Sequence, residues 1–152
     1  MANQSHGPCW GLVLVRIAAG YTLLTAGWGK VSADAIPPIV SWAHFDSTFF
    51  TWWGENLIEA YPAAFSFMIA WGEFLGGAAL LLGALTRPAG LLSAFMMLCF
   101  YCAGPEEAKD KVLLLGIMCL ASGLSAAGAR GGLDVILREH FPSWLTWMRP
   151  ST

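Results

Sequence analysis

"FMIAWGEFLGGAALLLGALTRP" (Phe67–Pro88) is an apolar, glycine-rich run of twenty-two residues in which one carboxylate, Glu73, stands well before the closing arginine. Crossing the hydrocarbon core of a bilayer takes about 20 such residues, and an ionised carboxylate near the middle is costly on any insertion scale. The run reads as a membrane helix. Glu73 within it must be paired, protonated or functional.

The rest of the chain agrees with a membrane setting. Of its 152 residues, 57% are hydrophobic and 12% are charged, with a mean hydropathy of +0.59. A soluble domain of this length covers its core with more charge. The eight Lys/Arg and ten Asp/Glu cluster between apolar blocks, and a net charge of −2 with no basic arm excludes nucleic acid as a partner. The opening "MANQSHGPCWGLVLVRIAAGYTLLTAG" lacks the basic start and the small-residue cleavage site of a secretory signal, and is read as a retained first membrane helix.

Breakers mark four apolar segments, at 10–28, 62–85, 88–103 and 112–127. The expected fold is all-α, a polytopic membrane four-helix bundle forming a single domain over 1–152. The last two segments are short for a span and extend into their flanks or stand with little tilt. Pro88 in the "TRP" turn (Thr86–Pro88) is placed where a helix begins. The connection contains an aromatic-rich stretch, 38–59, with Trp42, Phe45, Phe49, Trp52 and Trp53 on helical spacing, and the tail 133–148 carries Trp144 and Trp147. Both are expected to lie in the headgroup layer or to cover the bundle. An even number of spans puts the termini on one side. Arg87, Arg130, Arg138 and Arg149 there outnumber Lys30, Lys109 and Lys111 opposite, a bias toward cytoplasmic termini. Trp-Gly followed by a charge recurs at 28–30, 53–55 and 71–73, but the flanks diverge and the recurrence is read as coincidence.

Arg16 lies about six residues (~9 Å) into the first helix, and Glu73 about eleven residues (~16 Å) into the second. In antiparallel neighbours both charges would fall in the same half of the bilayer or near its midplane, so a buried Arg16–Glu73 pair is expected. Two readings stay open: the pair locks two helices, or it lines a polar pocket for a quinone head group or a proton. Gly72-x-x-x-Gly76, with Gly77 and Gly83, has the small-residue spacing of close helix packing, so Glu73 faces protein.

Cys99 and Cys102 form a C-x-x-C within "LCFYCAGP", a candidate redox dithiol. The competing reading is ordinary buried apolar cysteine, since no neighbour in sequence visibly activates a thiol. With Cys9 and Cys119 they make neither an extracellular disulfide pattern nor a zinc pattern. His6, His44 and His140 are scattered, so no metal or haem is expected. Lys109, Asp110 and Lys111 read as a solvated helix flank.

Three stretches resemble one family. "LVRIAAGYTLLTAGWGKV" resembles the first helix of DoxX-type membrane proteins, "GEFLGGAALLLGALTRPAGL" their second, and "KVLLLGIMCLASGLSAAGARGGLDVIL" their last helix with its following Leu-Asp segment. The resemblance implies a four-helix bundle in the bacterial cytoplasmic membrane. It also implies links to quinone-coupled sulfur oxidation, as in the small subunit of thiosulfate:quinone oxidoreductase, or to thiol and oxidative-stress defence. Carried onto this chain, its positions are Arg16, Lys30, Glu73, Arg87 and Asp134. Cys99 and Cys102 are not part of the family's pattern. The expected function is a quinone-associated oxidoreductase component with Arg16 and Glu73 as catalytic candidates and Arg16, Lys30 and Glu73 as quinone-binding candidates. The alternative is a non-catalytic accessory subunit packed against other membrane subunits of a respiratory or photosynthetic complex.

Overall fold

The computed structural model describes residues 10–33, 36, 48–125, 128, 131–137, 140 and 142. Among them every regular element is helical: α1 (Trp10–Val31), α2 (Thr48–Trp53) running into a π-helical turn (Gly54–Ile58), α3 (Pro62–Leu82), α4 (Thr86–Ala103), α5 (Glu106–Leu124) and α6 (Asp134–Leu137). By length and apolarity α1, α3 and α4 can each cross a membrane. The protein is an all-α, multi-pass membrane protein. Its outward leucines and aromatics, among them Leu14, Phe67, Leu92, Phe95 and Leu114, are the surface lipid covers.

The helix ends differ from the sequence expectation for local reasons. α3 stops at Leu82 because Gly83 takes a left-handed conformation (φ 66°) and its N–H bonds back to Leu80 O. α4 then starts at Thr86, two residues before Pro88, whose missing N–H falls in the first turn where no intrahelical acceptor exists. α5 starts at Glu106, six residues earlier than its apolar run. Pro105 precedes it, and Glu106 and Glu107 suit the positive end of a helix dipole. Its first six residues carry five charges, so its apolar part is confined to 112–124.

The helices form two tight antiparallel pairs, α1 on α3 and α4 on α5, with thinner contact between α3 and α4 and between α1 and α5. Glycine makes both pairs tight. A Cβ on Gly27 would stand 2.3 Å from Phe74 N, one on Gly20 2.5 Å from Leu81 N, and one on Gly77 2.3 Å from Leu24 N. Gly90 and Gly123 make the corresponding approach between α4 and α5. Gly72 and Gly76 face α4 instead, so the predicted Gly-x-x-x-Gly is not the tight seam; Gly20, Gly27 and Gly77 are. Ala19, Leu23, Leu80, Met97 and Cys119 close the apolar core.

Of the aromatic-rich connection, 48–58 is helical, and Trp52 and Trp53 are exposed with their rings edge to face. Trp42, Phe45, Trp144 and Trp147 lie outside the described residues, as do Cys9, His6, His44, Arg130, Arg138 and Arg149.

Gly27→Val is expected to force α1 from α3 and to lower stability by about 1–3 kcal/mol, read as a drop in the midpoint of thermal unfolding in detergent. Gly29→Ala meets nothing within 4 Å and is expected to leave the midpoint in place; equal effects of the two would contradict the seam.

Candidate functional site

The glycine seam fixes which charges meet. With Gly27 against Phe74 and Gly20 against Leu81, the level of Glu73 on α1 is Gly27–Trp28, about twelve residues and ~18 Å from Arg16. The expected Arg16–Glu73 pair therefore does not form. Counting depth from each helix start assumed level ends, but α3 begins well beyond the end of α1.

Lys30 is the residue that reaches Glu73. Its Nζ donates to Oε1 at 2.6 Å and to Oε2 at 2.5 Å. The Glu73 side chain is 4% exposed and that of Lys30 32%, so the cation links a buried carboxylate at mid-height of α3 to a more open surface. The Trp-Gly-Lys of α1 and the Trp-Gly-Glu of α3 lie side by side here. The recurrence read as coincidence marks facing segments, with Trp28 and Trp71 each 5.8 Å from the Phe74 ring.

Arg16 is buried at the other end, 1% exposed, and donates from Nη2 to Gly131 O at 3.0 Å. Asp134 supplies the opposite charge acting on it. Asp134 also caps α4 from a distance: its Oδ1 accepts Leu85 N–H at 2.6 Å and its Oδ2 accepts Thr86 N–H at 3.1 Å. That bond holds Leu85 in a left-handed conformation (φ 48°), which a branched residue adopts only under such constraint. Asp134 N and Leu133 N donate in turn to Gly83 O and Leu82 O at the end of α3. Gly83 and Gly132 pack backbone to backbone beside the Arg16 guanidinium, and a Cβ on either would collide with the other glycine and with Arg16 Nη1. Arg87, carried over from the resemblance, sits half-buried in the first turn of α4.

A groove of about 900 Å³ runs between α3 and α4, the side left open by the two-pair packing. Gly72, Gly76 and Ala89 form its floor, Met68, Leu75 and Phe95 its walls, and Trp53 and Ile58 lie at one end. Cys99 and Cys102, both free and half-buried, line that same end with Phe100. Lys30 Nζ stands 5.7 Å from the centroid of the Phe100 ring, so one aromatic side chain separates the ion pair from the groove. Lys30, Glu73, Cys99 and Cys102 are thus gathered in one region; Arg16 and Asp134 are not. Among the described residues no three His, Cys, Asp or Glu side chains cluster as a metal site. The exposed first turn of α5 pairs Lys109 with Glu106 at 2.5 Å.

Apolar helices enclosing two separate charged centres define a polytopic membrane protein with a polar interior, not a simple anchor. The chain belongs to the DoxX family, whose model matches residues 11–103, that is, α1 through α4. The match ends before α5 and Asp134, so the likeness read from the last helix lies beyond it. Comparison with curated proteins and with solved structures yields no match.

Lys30→Met strands the Glu73 carboxylate and is expected to lower stability by up to about 3 kcal/mol, less than for a wholly buried pair because Lys30 is one-third exposed. Lys30→Met with Glu73→Leu is expected to regain part of the loss in denaturant titration of the detergent-solubilised protein. A double variant no more stable than Lys30→Met alone would contradict the pairing.

Proposed function

We propose that this DoxX protein is a quinone-associated oxidoreductase component of the bacterial cytoplasmic membrane, with cytoplasmic termini. The observation that carries the proposal is the apolar α3–α4 groove, with Phe100 and the Cys99 and Cys102 thiols lining one end. Its volume falls in the range of small-molecule sites, and its long apolar floor suits an isoprenoid tail. Two thiols, an aromatic ring and, behind that ring, an ion pair meet where a head group would lie. A lipid acyl chain would fill the floor but has no use for this end.

When bound, a quinone supplies two-electron, two-proton chemistry. The chain's own residues provide the setting for it. Phe100 and Trp53 flank the head-group end and exclude water. Glu73 is the proton-exchanging group behind Phe100, and Lys30 both compensates its charge and connects it to the open surface. Arg16 lies at the far end of the bundle, where it holds the Gly131 carbonyl, and has no part in the head-group end. Electrons reach the groove from a thiol or from a partner membrane subunit.

The test is saturable binding of a radiolabelled, fully substituted quinone to the protein in nanodiscs, compared with empty nanodiscs. Gly72→Leu places a side chain into the groove, past a Cβ position that meets only Met96 Sδ at 3.5 Å. It is expected to weaken binding by about tenfold or more, on the scale of a filled apolar pocket, without loss of folded protein. Binding no greater than to empty nanodiscs would overturn the proposal.

A further inference from the structure

We infer that Cys99 and Cys102 are a redox-active dithiol that reduces the quinone in the α3–α4 groove, an inference that rests on the quinone reading of that groove. Residues three apart on a helix share a face, and both of these thiols line the groove at its head-group end. Neither is held in a disulfide. The family's likeness does not supply them, and the packing does not need them there: Cys119, by contrast, is fully buried in the core.

The step balances within the site. The two S–H bonds break, one Sγ–Sγ bond forms, and the two electrons and two protons released convert the quinone to its quinol. No other oxidant is required. Cβ atoms three residues apart on a helix stand about 5–6 Å apart, against 3.5–4.5 Å across a disulfide, so closure draws the two together by about 1 Å or more. The last turn of α4 can yield that movement. Cys102 is one residue from the helix end at Ala103, where Gly104 leaves the helix in an extended conformation and Pro105 follows. Cys102 is therefore the thiol that moves with the end of the helix, and Cys99, one turn deeper along the groove, is its partner.

The experiment uses the full chain in nanodiscs, reduced, freed of reductant and kept anaerobic, with decylubiquinone as probe. Its ring carries no free position, so thiol addition to the ring does not compete. Binding, quinol absorbance and alkylation-trapped peptide mapping are read from one sample. The expected result is one quinol per chain, with Cys99 and Cys102 joined and protected from alkylation while Cys119 stays alkylatable on unfolding. In Cys99→Ser and in Cys102→Ser quinol formed per bound quinone is expected to fall about tenfold or more, since the thiolate is the reacting species. Quinone bound without a Cys99–Cys102 disulfide, or quinol formed equally by the serine variants, overturns the dithiol and leaves the quinone site standing. No saturable binding overturns both.

Discussion

The contact of Gly20 and Gly27 with α3, answered by Gly77 against α1, is the constraint from which the rest of this structure follows. With no Cβ at these three positions the two backbones touch, and backbones in contact cannot slide past one another without collision. The register is thereby fixed. It sets Lys30, not Arg16, against Glu73, and leaves Arg16 beside Gly83 at the far end. A single axial offset between two helices decides whether a buried carboxylate meets a solvent-linked lysine or a sequestered arginine.

The same pairing explains why a groove exists. Glycine contacts draw α1 to α3 and α4 to α5, and among the described residues the two pairs are tied by hydrogen bonds where the Asp134 carboxylate holds the start of α4 while the N–H groups of Asp134 and Leu133 hold the end of α3. Elsewhere α3 and α4 approach at Gly76 against Ser93 and at Gly72 near Met96, and large apolar side chains such as Met68, Leu75 and Phe95 line the groove between them. The hydrogen-bonded junction at the Arg16–Asp134 end and the groove along α3 and α4 are two results of one packing scheme. The π-helical turn at Gly54–Ile58 adds Trp53 and Ile58 to the open end, a kind of backbone irregularity that recurs at functional sites.

Much of this was legible in the sequence. Apolar runs and their breakers located the long helices, and glycine beside Glu73 showed that the carboxylate faces protein. The partner of Glu73 was not legible. Arg16 and Lys30 are both cations on the first helix, and choosing between them requires the axial offset, which depends on where α3 begins relative to α1 and on Gly20 and Gly27, which lie outside the small-residue pattern of the second helix. Asp134 was indicated only by family likeness, because a carboxylate that caps a helix forty-eight residues away leaves no local pattern. The facing Trp-Gly-Lys and Trp-Gly-Glu segments were the available signal: opposite charges in the same short motif on two adjacent helices. The clustering of Cys99 and Cys102 with the ion pair followed from nothing in their spacing, since it depends on Phe100 lying between them and Lys30.

The central claim, that the α3–α4 groove holds a quinone head group beside Phe100 and its ion pair, is tested most directly by photolabelling. An azido-quinone is activated in nanodiscs containing the protein, and the modified peptides are mapped by mass spectrometry. The account predicts labels on Trp53, Met68 and the 95–102 stretch of α4, removed by excess unlabelled quinone. Labels confined to the lipid-facing sides of α1 or α5, or labels that excess quinone does not displace, would contradict it.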